Sequence, residues 1–392
     1  MLISYIFNNY CSFYGENEFS METAGGKVKK RYPDNYVETA SGVSLLKSAV
    51  LVGENAGGKS NFINSLRFLK SLFTDNGYVK SFRPFINSDS MRMEKTPAQK
   101  FEIVLLADNG LIYQYVLVID EKGIVSEQLN RQGKLKGKRY SIFHIAREEG
   151  GKTYFAMGKD TGEIEKITDK RNVGIGLFVT KLAIIGNEDA AAVTEWINNK
   201  LVVEEFHNDI EMDYKRQQSD LDILKDERYI NIFRMVDYSI SGIELDEDKP
   251  YSKTLIIRKN KAGEQVKREL QMDSAGVKEF FVWATQIFRV VYENKVVLAD
   301  EMDRVLNPIL SDRVISFVNG KQHMGQFIFS THNVLHLNLV MYMKEQIYFV
   351  TKARDSLTSE IYSLADFPEV RYETVKIYEF YMKGILGGTA FE

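Results

Sequence analysis

Between residues 47 and 60 the chain reads Lys-Ser-Ala-Val-Leu-Val-Gly-Glu-Asn-Ala-Gly-Gly-Lys-Ser, and no other stretch constrains the fold so strongly. Gly53 and Gly58 enclose four residues and run into Lys59 and Ser60, the phosphate-binding pattern G-x-x-x-x-G-K-[ST]. Glycine lets the backbone curl until successive N–H groups point at a bound anion. Lys59 is expected to reach the β- and γ-phosphates, and the Ser60 hydroxyl to ligate Mg²⁺. Ala49 to Val52 is an apolar run of the kind a buried strand needs. Phe62, Ile63, Leu66, Leu69, Leu72 and Phe73 then fall at helical spacing. Phosphates would therefore lie at a helix N-terminus, where free N–H groups and the helix dipole favour anions. The expected nucleotide-binding residues are Gly53, Glu54, Asn55, Ala56, Gly57, Gly58, Lys59, Ser60 and Asn61.

The remainder of the chain supplies room and bounds. At 392 residues it holds one large core or two to three modest ones, and a net charge of −3 shows no global basic excess of the sort that advertises nucleic acid. The single cysteine, Cys11, excludes an internal disulfide and fits a reducing compartment. As a lone thiol it reads as filler. The opening MLISYIFNNY lacks a basic n-region and a long apolar core, and no run of 18 apolar residues is present, so the expectation is a cytoplasmic protein without a membrane span.

Leu2 to Phe7 and Glu16 to Met21 read as strands, and residues 22–46 as a loop holding the basic knot Lys27, Lys29, Lys30 and Arg31. Phe101 to Ala107, Leu111 to Ile119 and Ile124 to Leu129 predict an antiparallel meander with turns at Asn109-Gly110 and Lys122-Gly123. Arg139 to Ile145 and Thr153 to Met157 extend it, past a second basic cluster of Lys134, Lys136, Lys138 and Arg139. Residues 177–206 and Leu221 to Val236 read as helical, and Ile240 to Leu245 and Leu255 to Arg258 as strands. From Ser274 an alternating strand–helix order returns. Val277 to Val291 and Leu306 to Val318 read as helices. Val296 to Ala299, Gln326 to Phe329, Gln346 to Val350 and Glu360 to Leu364 read as strands. Residues 1–75 and 272–392 are thus expected to form one nucleotide-binding core, with 76–271 inserted as a β-meander plus helical region.

Three further motifs carry chemistry. Four apolar residues ending in Asp300-Glu301 form a Walker B arrangement, which delivers carboxylates to the carboxyl edge of the sheet. Asp300 would hold Mg²⁺, and Glu301 would polarise the attacking water. His332 directly follows a second buried strand in a Ser-Thr-His-Asn context and is expected to sense the γ-phosphate. Ser274-Ala275-Gly276 opens a helix and offers a hydroxyl and free N–H groups to an anion. Asp220/Asp222 and Asp246/Asp248 are D-x-D pairs in polar stretches and read as surface.

In this order the motifs resemble ATP-binding-cassette ATPases of the RecF/SMC type. The stretches GENAGGKSN, DEMDRVLNP, LISYIFNNYCSF, FEIVLLADNGLIYQYVLVI and QIYFVTKARDSLTSEIYSLADF are similar to stand-alone AAA-annotated ATP-binding proteins of bacterial abortive-infection and other phage-defence systems. The resemblance covers most of the chain. It implies an α/β P-loop NTPase fold with an ABC-type head, an N-terminal antiparallel β lobe and an α+β insertion between the phosphate loop and the S-x-G signature. It also implies that Ser274, Ala275 and Gly276 act in trans on a second copy's phosphate loop. Asp303 matches the D-loop aspartate, and two ATP molecules would be sandwiched in a homodimer or larger homo-oligomer. Departures from the family pattern are Cys11 in place of arginine, Asn307 in Leu306-Asn307-Pro308 where histidine is usual, and Val277 where threonine or glycine is usual. No Q-loop glutamine is identified, because residues 133–216 contain no Gln.

Some relatives carry a Toprim or HNH nuclease behind the ATPase, whereas about 60 residues follow His332 here. The expected function is a slow ATPase switch using ATP and Mg²⁺. It would control an effector in trans (a nuclease or toxin) on a trigger that is a nucleic acid or phage protein. The alternatives are a RecF-like DNA clamp and a scaffold that binds ATP as a structural ligand.

Overall fold

The structure is a computed structural model and describes residues 1–23, 25–26, 28–74, 98–120, 123–134, 136–147, 153–157, 176–204, 214–302, 306–353, 356–372 and 377–387. Lys27 and Lys122 lie outside the described residues, as does Asp303. A six-stranded core sheet runs Leu201–Glu204, Val296–Ala299, Gln326–Thr331, Ser48–Val52, Ile347–Lys352, Ser359–Ser363. All neighbours in it pair parallel except the last two, which are antiparallel. Ser48–Val52, Val296–Ala299 and Gln326–Thr331 are buried along their whole length, as parallel strands covered on both faces must be.

Alternation along these strands feeds two separate cores. Ala49, Leu51, Val296, Leu298 and Ile328 face one cluster, which they share with Phe62, Leu66 and Leu69 of the helix Lys59–Thr74. Val50, Val52, Val297, Ala299, Phe327 and Phe329 face the other, which is filled by Phe280, Trp283, Ala284 and Ile287 of the helix Ala275–Glu293 and by Val314 and Val318 of the helix Pro308–Gly320.

The first cluster is closed by a seven-stranded antiparallel sheet ordered Thr153–Met157, Tyr140–Arg147, Gly123–Gln132, Ile112–Asp120, Gln99–Leu106, Leu2–Asn8, Glu16–Ser20. Both sheets therefore draw strands from either side of residue 75. Two buried glutamines fasten the layers. Gln326 Oε1 accepts from Leu2 N at 2.6 Å while its Nε2 donates to Leu2 O and Leu46 O, each at 3.0 Å. Gln346 Nε2 donates to Ser48 O and Ser48 Oγ, each at 2.9 Å, and its Oε1 accepts from Asn35 Nδ2 at 2.7 Å. Buried amides stripped of water need such full pairing.

The helix Phe178–Ile184 docks on the large sheet through Glu127, a fully buried carboxylate. It accepts from Phe178 N at 2.7 Å, Val179 N at 2.8 Å and Tyr115 OH at 3.0 Å. Burial pushes this carboxyl up to about 7, with the three hydrogen bonds working the other way.

Several expectations are corrected. The helical reading of 177–206 holds only to Lys200: Leu201–Glu204 is an edge strand, drawn into parallel register with Val296–Ala299. The loop 22–46 contains a hairpin, Tyr36–Glu38 with Ser44–Leu46. Leu221 to Val236 is not one helix; Tyr214–Lys225 ends and Glu227–Phe233 restarts on an Asp226 cap. Asp220 is not surface. It is fully buried and ion-paired with Arg289 of the helix Ala275–Glu293, and it also accepts from Tyr251 OH. A third sheet, Ile240–Glu244, Leu255–Lys259, Gln265–Glu269, includes one strand the sequence did not signal, because Gln265–Glu269 is almost wholly exposed and has no apolar alternation. Among the described residues no helix is long and apolar enough to cross a membrane.

Candidate functional site

The phosphate loop leaves the core sheet at Val52 and enters the helix Lys59–Thr74. Gly57 N donates to Glu54 O at 3.2 Å, closing a turn in which Ala56 (φ 61°) and Gly58 (φ 119°) are left-handed. Asn55 and Ala56 are exposed at its tip, and Ser60 is exposed at the helix start. Behind the loop the fit is tight. A Cβ on Gly53 would stand 2.1 Å from Val350 O, one on Gly57 2.7 Å from the same oxygen, and one on Gly58 2.5 Å from Ser359 Oγ. No side chain fits there.

Lys59 is buried, and Nζ donates to Gly53 O at 2.7 Å and Glu54 O at 3.0 Å. It also lies 3.4 Å from Nδ1 of His332. The cation is thus held inside the curl of the loop, and the residue at the end of the neighbouring strand meets it.

Two serines complete the back of the loop. Ser359 Oγ contacts Gly57 O and Ser12 Oγ, each at 2.7 Å. Asn61 Nδ2 donates to Ser12 Oγ at 2.8 Å, so the side chain of this expected nucleotide-binding residue braces the loop.

At the end of the Walker B strand, Ser330 does the corresponding job. Its hydroxyl donates to Asp300 Oδ1 and accepts from Glu301 N at 2.8 Å. Glu301 has a left-handed backbone, φ 50°, unusual for a non-glycine residue and of the kind found where a side chain is held for use. Val296–Ala299, Gln326–Thr331 and Ser48–Val52 are adjacent parallel strands, so Asp300, Glu301, His332 and the phosphate loop all emerge along one carboxyl edge. Exposed Ser60, Asp300 fixed by Ser330, and Lys59 seated in the loop are chemically compatible with a magnesium nucleotide, offering hydroxyl and carboxylate oxygens to a cation and an ammonium to phosphate.

The signature turn is placed elsewhere. Ser274 caps the helix Ala275–Glu293, with Oγ accepting from Val277 N at 3.4 Å. Ser274, Ala275 and Gly276 are all exposed, and no atom outside its own helix backbone and chain neighbours lies within 4 Å of where a Cβ on Gly276 would stand. Among the described residues, no hydrogen bond or ion pair joins Ser274, Ala275 or Gly276 to the phosphate loop.

Sequence reasoning passed over Ser12, Ser330, Val350 and Ser359. Ser330 had a weak signal, in the same Ser-Thr-His-Asn run as His332. Ser359 had none, since it lies 302 residues from Gly57.

The strand order, the loop on Ser48–Val52 and the acid pair after Val296–Ala299 define the class: an α/β P-loop NTPase. Residues 48–338 match the family described as "AAA domain, putative AbiEii toxin, Type IV TA system", and the chain belongs to that family. Similar solved structures include the SMC head domain from Thermotoga maritima, at 15% identity and TM-score 0.42 over 92% of this chain and 98% of that one. An Smc head bound to the C-winged helix domain of ScpA matches at 14% identity and TM-score 0.44, over 92% and 97% of the two chains. An Smc head domain with an extended coiled coil bound to the C-terminal domain of ScpA, from Pyrococcus furiosus, matches at 15% identity and TM-score 0.43, over 92% and 96%. No curated protein matches the chain.

Proposed function

We propose that this ATPase-family protein is an ATP-hydrolysing switch that pairs with a second copy of itself through shared nucleotide sites. The observation that carries this reading is the exposed Ser274–Gly276 turn, set against a phosphate loop that is finished except for its outer face. Gly53 to Asn61 would hold ATP, and Ser60 with Asp300 would hold Mg²⁺, which supplies charge neutralisation at the β- and γ-phosphates. Lys59 binds the terminal phosphates by trading its two loop carbonyls for anionic oxygens. Glu301 orients and deprotonates the attacking water. His332, next to Lys59, reports on the γ-phosphate position. Ser274, Ala275 and Gly276 of one copy close on the phosphate loop of the other, with Asp303 alongside, so pairing depends on the triphosphate. In this reading residues 1–75 and 272–392 carry the ATPase core, and 76–271, apart from the core-sheet strand Leu201–Glu204, are the docking and sensing insertion.

The family's description names a toxin and a toxin–antitoxin system. That supports a place in anti-phage, abortive-infection defence, with a nuclease or toxin as the effector in trans and a phage protein or nucleic acid as trigger. A second reading, a RecF-like clamp on DNA, draws on the exposed Lys134, Lys136, Lys138, Arg139 and Tyr140 at one hairpin tip, with Lys138 Nζ 5.2 Å above the Tyr140 ring. Duplex binding that needs ATP and weakens steeply with salt would favour it.

Turnover and pairing in Ser274→Arg test the switch. Nucleotide binding is expected to persist while ATP-dependent pairing and hydrolysis are lost; intact pairing would refute the shared site.

A further inference from the structure

What aims the signature turn lies outside the motif. The segment before it is pinned to the start of the small sheet, with Leu270 N donating to Thr254 O at 2.9 Å and Gln271 N to Ser252 O at 3.0 Å. Asp273 follows, its side chain only 6% exposed, and Oδ1 accepts from Ser274 N at 3.0 Å. Arg258 from the middle strand holds that carboxylate by one hydrogen bond, Nη2 to Asp273 Oδ1 at 3.0 Å, and by an ion-pair contact of Nη1 2.8 Å from Oδ2, which accepts no hydrogen bond among the described residues. The third guanidinium nitrogen, Nε, donates to Asp237 Oδ2 at 2.9 Å, in the turn after the helix Glu227–Phe233.

One cation therefore stands between two carboxylates from separate elements and is linked through Asp273 to the backbone N–H of Ser274. A planar, two-armed guanidinium fixes direction as well as distance, which a lysine or an apolar contact does not. Stability alone is a poor reason for such a cluster, since half-buried ion pairs lose in desolvation much of what they gain. We infer that Arg258 is a positioning residue for the composite nucleotide site: it sets the attitude of Ser274–Gly276, and through Asp237 makes that attitude answer to the inserted region.

The inference rests on the shared-site reading above. It gives the insertion a mechanical route to the ATP site: any partner that shifts the strand Leu255–Lys259 or the Asp237 turn alters how the signature meets the second copy.

The test uses the full chain with Glu301→Gln as parent and compares Arg258→Met and Arg258→Lys. Three quantities are read: affinity for ATP in dilute protein, ATP-dependent pairing by solution mass, and amide hydrogen exchange over residues 270–277 without nucleotide. Arg258→Met should leave ATP affinity unchanged within about twofold and weaken pairing roughly tenfold, within the range by which residues along a coupling network act. Exchange over 270–277 should rise while that of the phosphate loop stays put. Arg258→Lys keeps charge and stem, guards against loss of fold, and should fall between parent and Met variant. Unchanged exchange over 270–277, or unchanged pairing, overturns the inference, as does a parallel fall in ATP affinity. Failure of the parent itself to pair would instead sink the shared-site reading, and the exchange measurement would still decide on Arg258.

Discussion

Lys59 and Ser274 each stand at the first turn of a long helix of this chain, and the two turns are finished in opposite ways. Around Lys59 the chain closes in: Val350 O, Ser359 Oγ and Phe13 leave no room for a Cβ on the loop glycines, and the lysine is already bonded to the loop. Around Ser274 the chain stops short. Gly276 faces open space, neighbouring Met272 is 68% exposed, and only the rear of the turn is held, by Asp273 and Arg258. One glycine set is explained by this chain alone. Gly276 is not, because its φ is ordinary and no atom of the chain crowds it. A glycine with no internal reason, on a turn set apart from the phosphate loop, is what the proposed shared site would require of this chain.

Substitutions sharpen that contrast. Gly53→Ala should have the largest effect. With Val350 O 2.1 Å from the new Cβ, the loop or its neighbouring strand must shift, at a cost of about 3 kcal/mol. Thermal unfolding and ATP titration would show both a lower Tm and lost binding. Lys59→Ala should keep the fold and weaken ATP binding by roughly 100-fold, the loss of charge-assisted contacts to phosphate. Ser359→Ala should act in the same direction but less, about 1 kcal/mol, because Gly57 O loses a buried partner; a nucleotide titration that shows no change would remove Ser359 from the loop's support. Gly276→Ala should do the reverse of Gly53→Ala. Stability should rise by about 0.5 kcal/mol from helix propensity, while ATP-dependent pairing weakens. Equal effects at the two glycines would erase the comparison.

How much of this was legible beforehand follows the range of the interactions. The phosphate loop, the acid pair after Val296–Ala299, His332 and the Ser274 cap are local patterns, and each lies on the element its flanks predicted. Partners distant in sequence left no trace. Ser359 behind Gly57, Gln326 on Leu2, and Asp220 on Arg289 are single polar residues whose role is fixed only when the sheets stack. Asp220 shows the hazard plainly. In a D-x-D stretch it looked solvated, yet its counter-ion lies 69 residues away on the signature helix. Leu201–Glu204 was misread for a related reason. Four residues after a helical run carry too little period of their own, and the pairing with Val296–Ala299 decides their state.

The central claim is that two copies of this chain share the nucleotide. The most direct measurement is the solution mass of Glu301→Gln with and without Mg-ATP. The account predicts a dimer, or a higher multiple, that forms only with the triphosphate and disappears in the Ser274→Arg double variant. A mass indifferent to ATP would contradict it: a constant multiple would make the particle preformed, and a constant monomer would mean that something other than a second copy covers the Ser274–Gly276 turn.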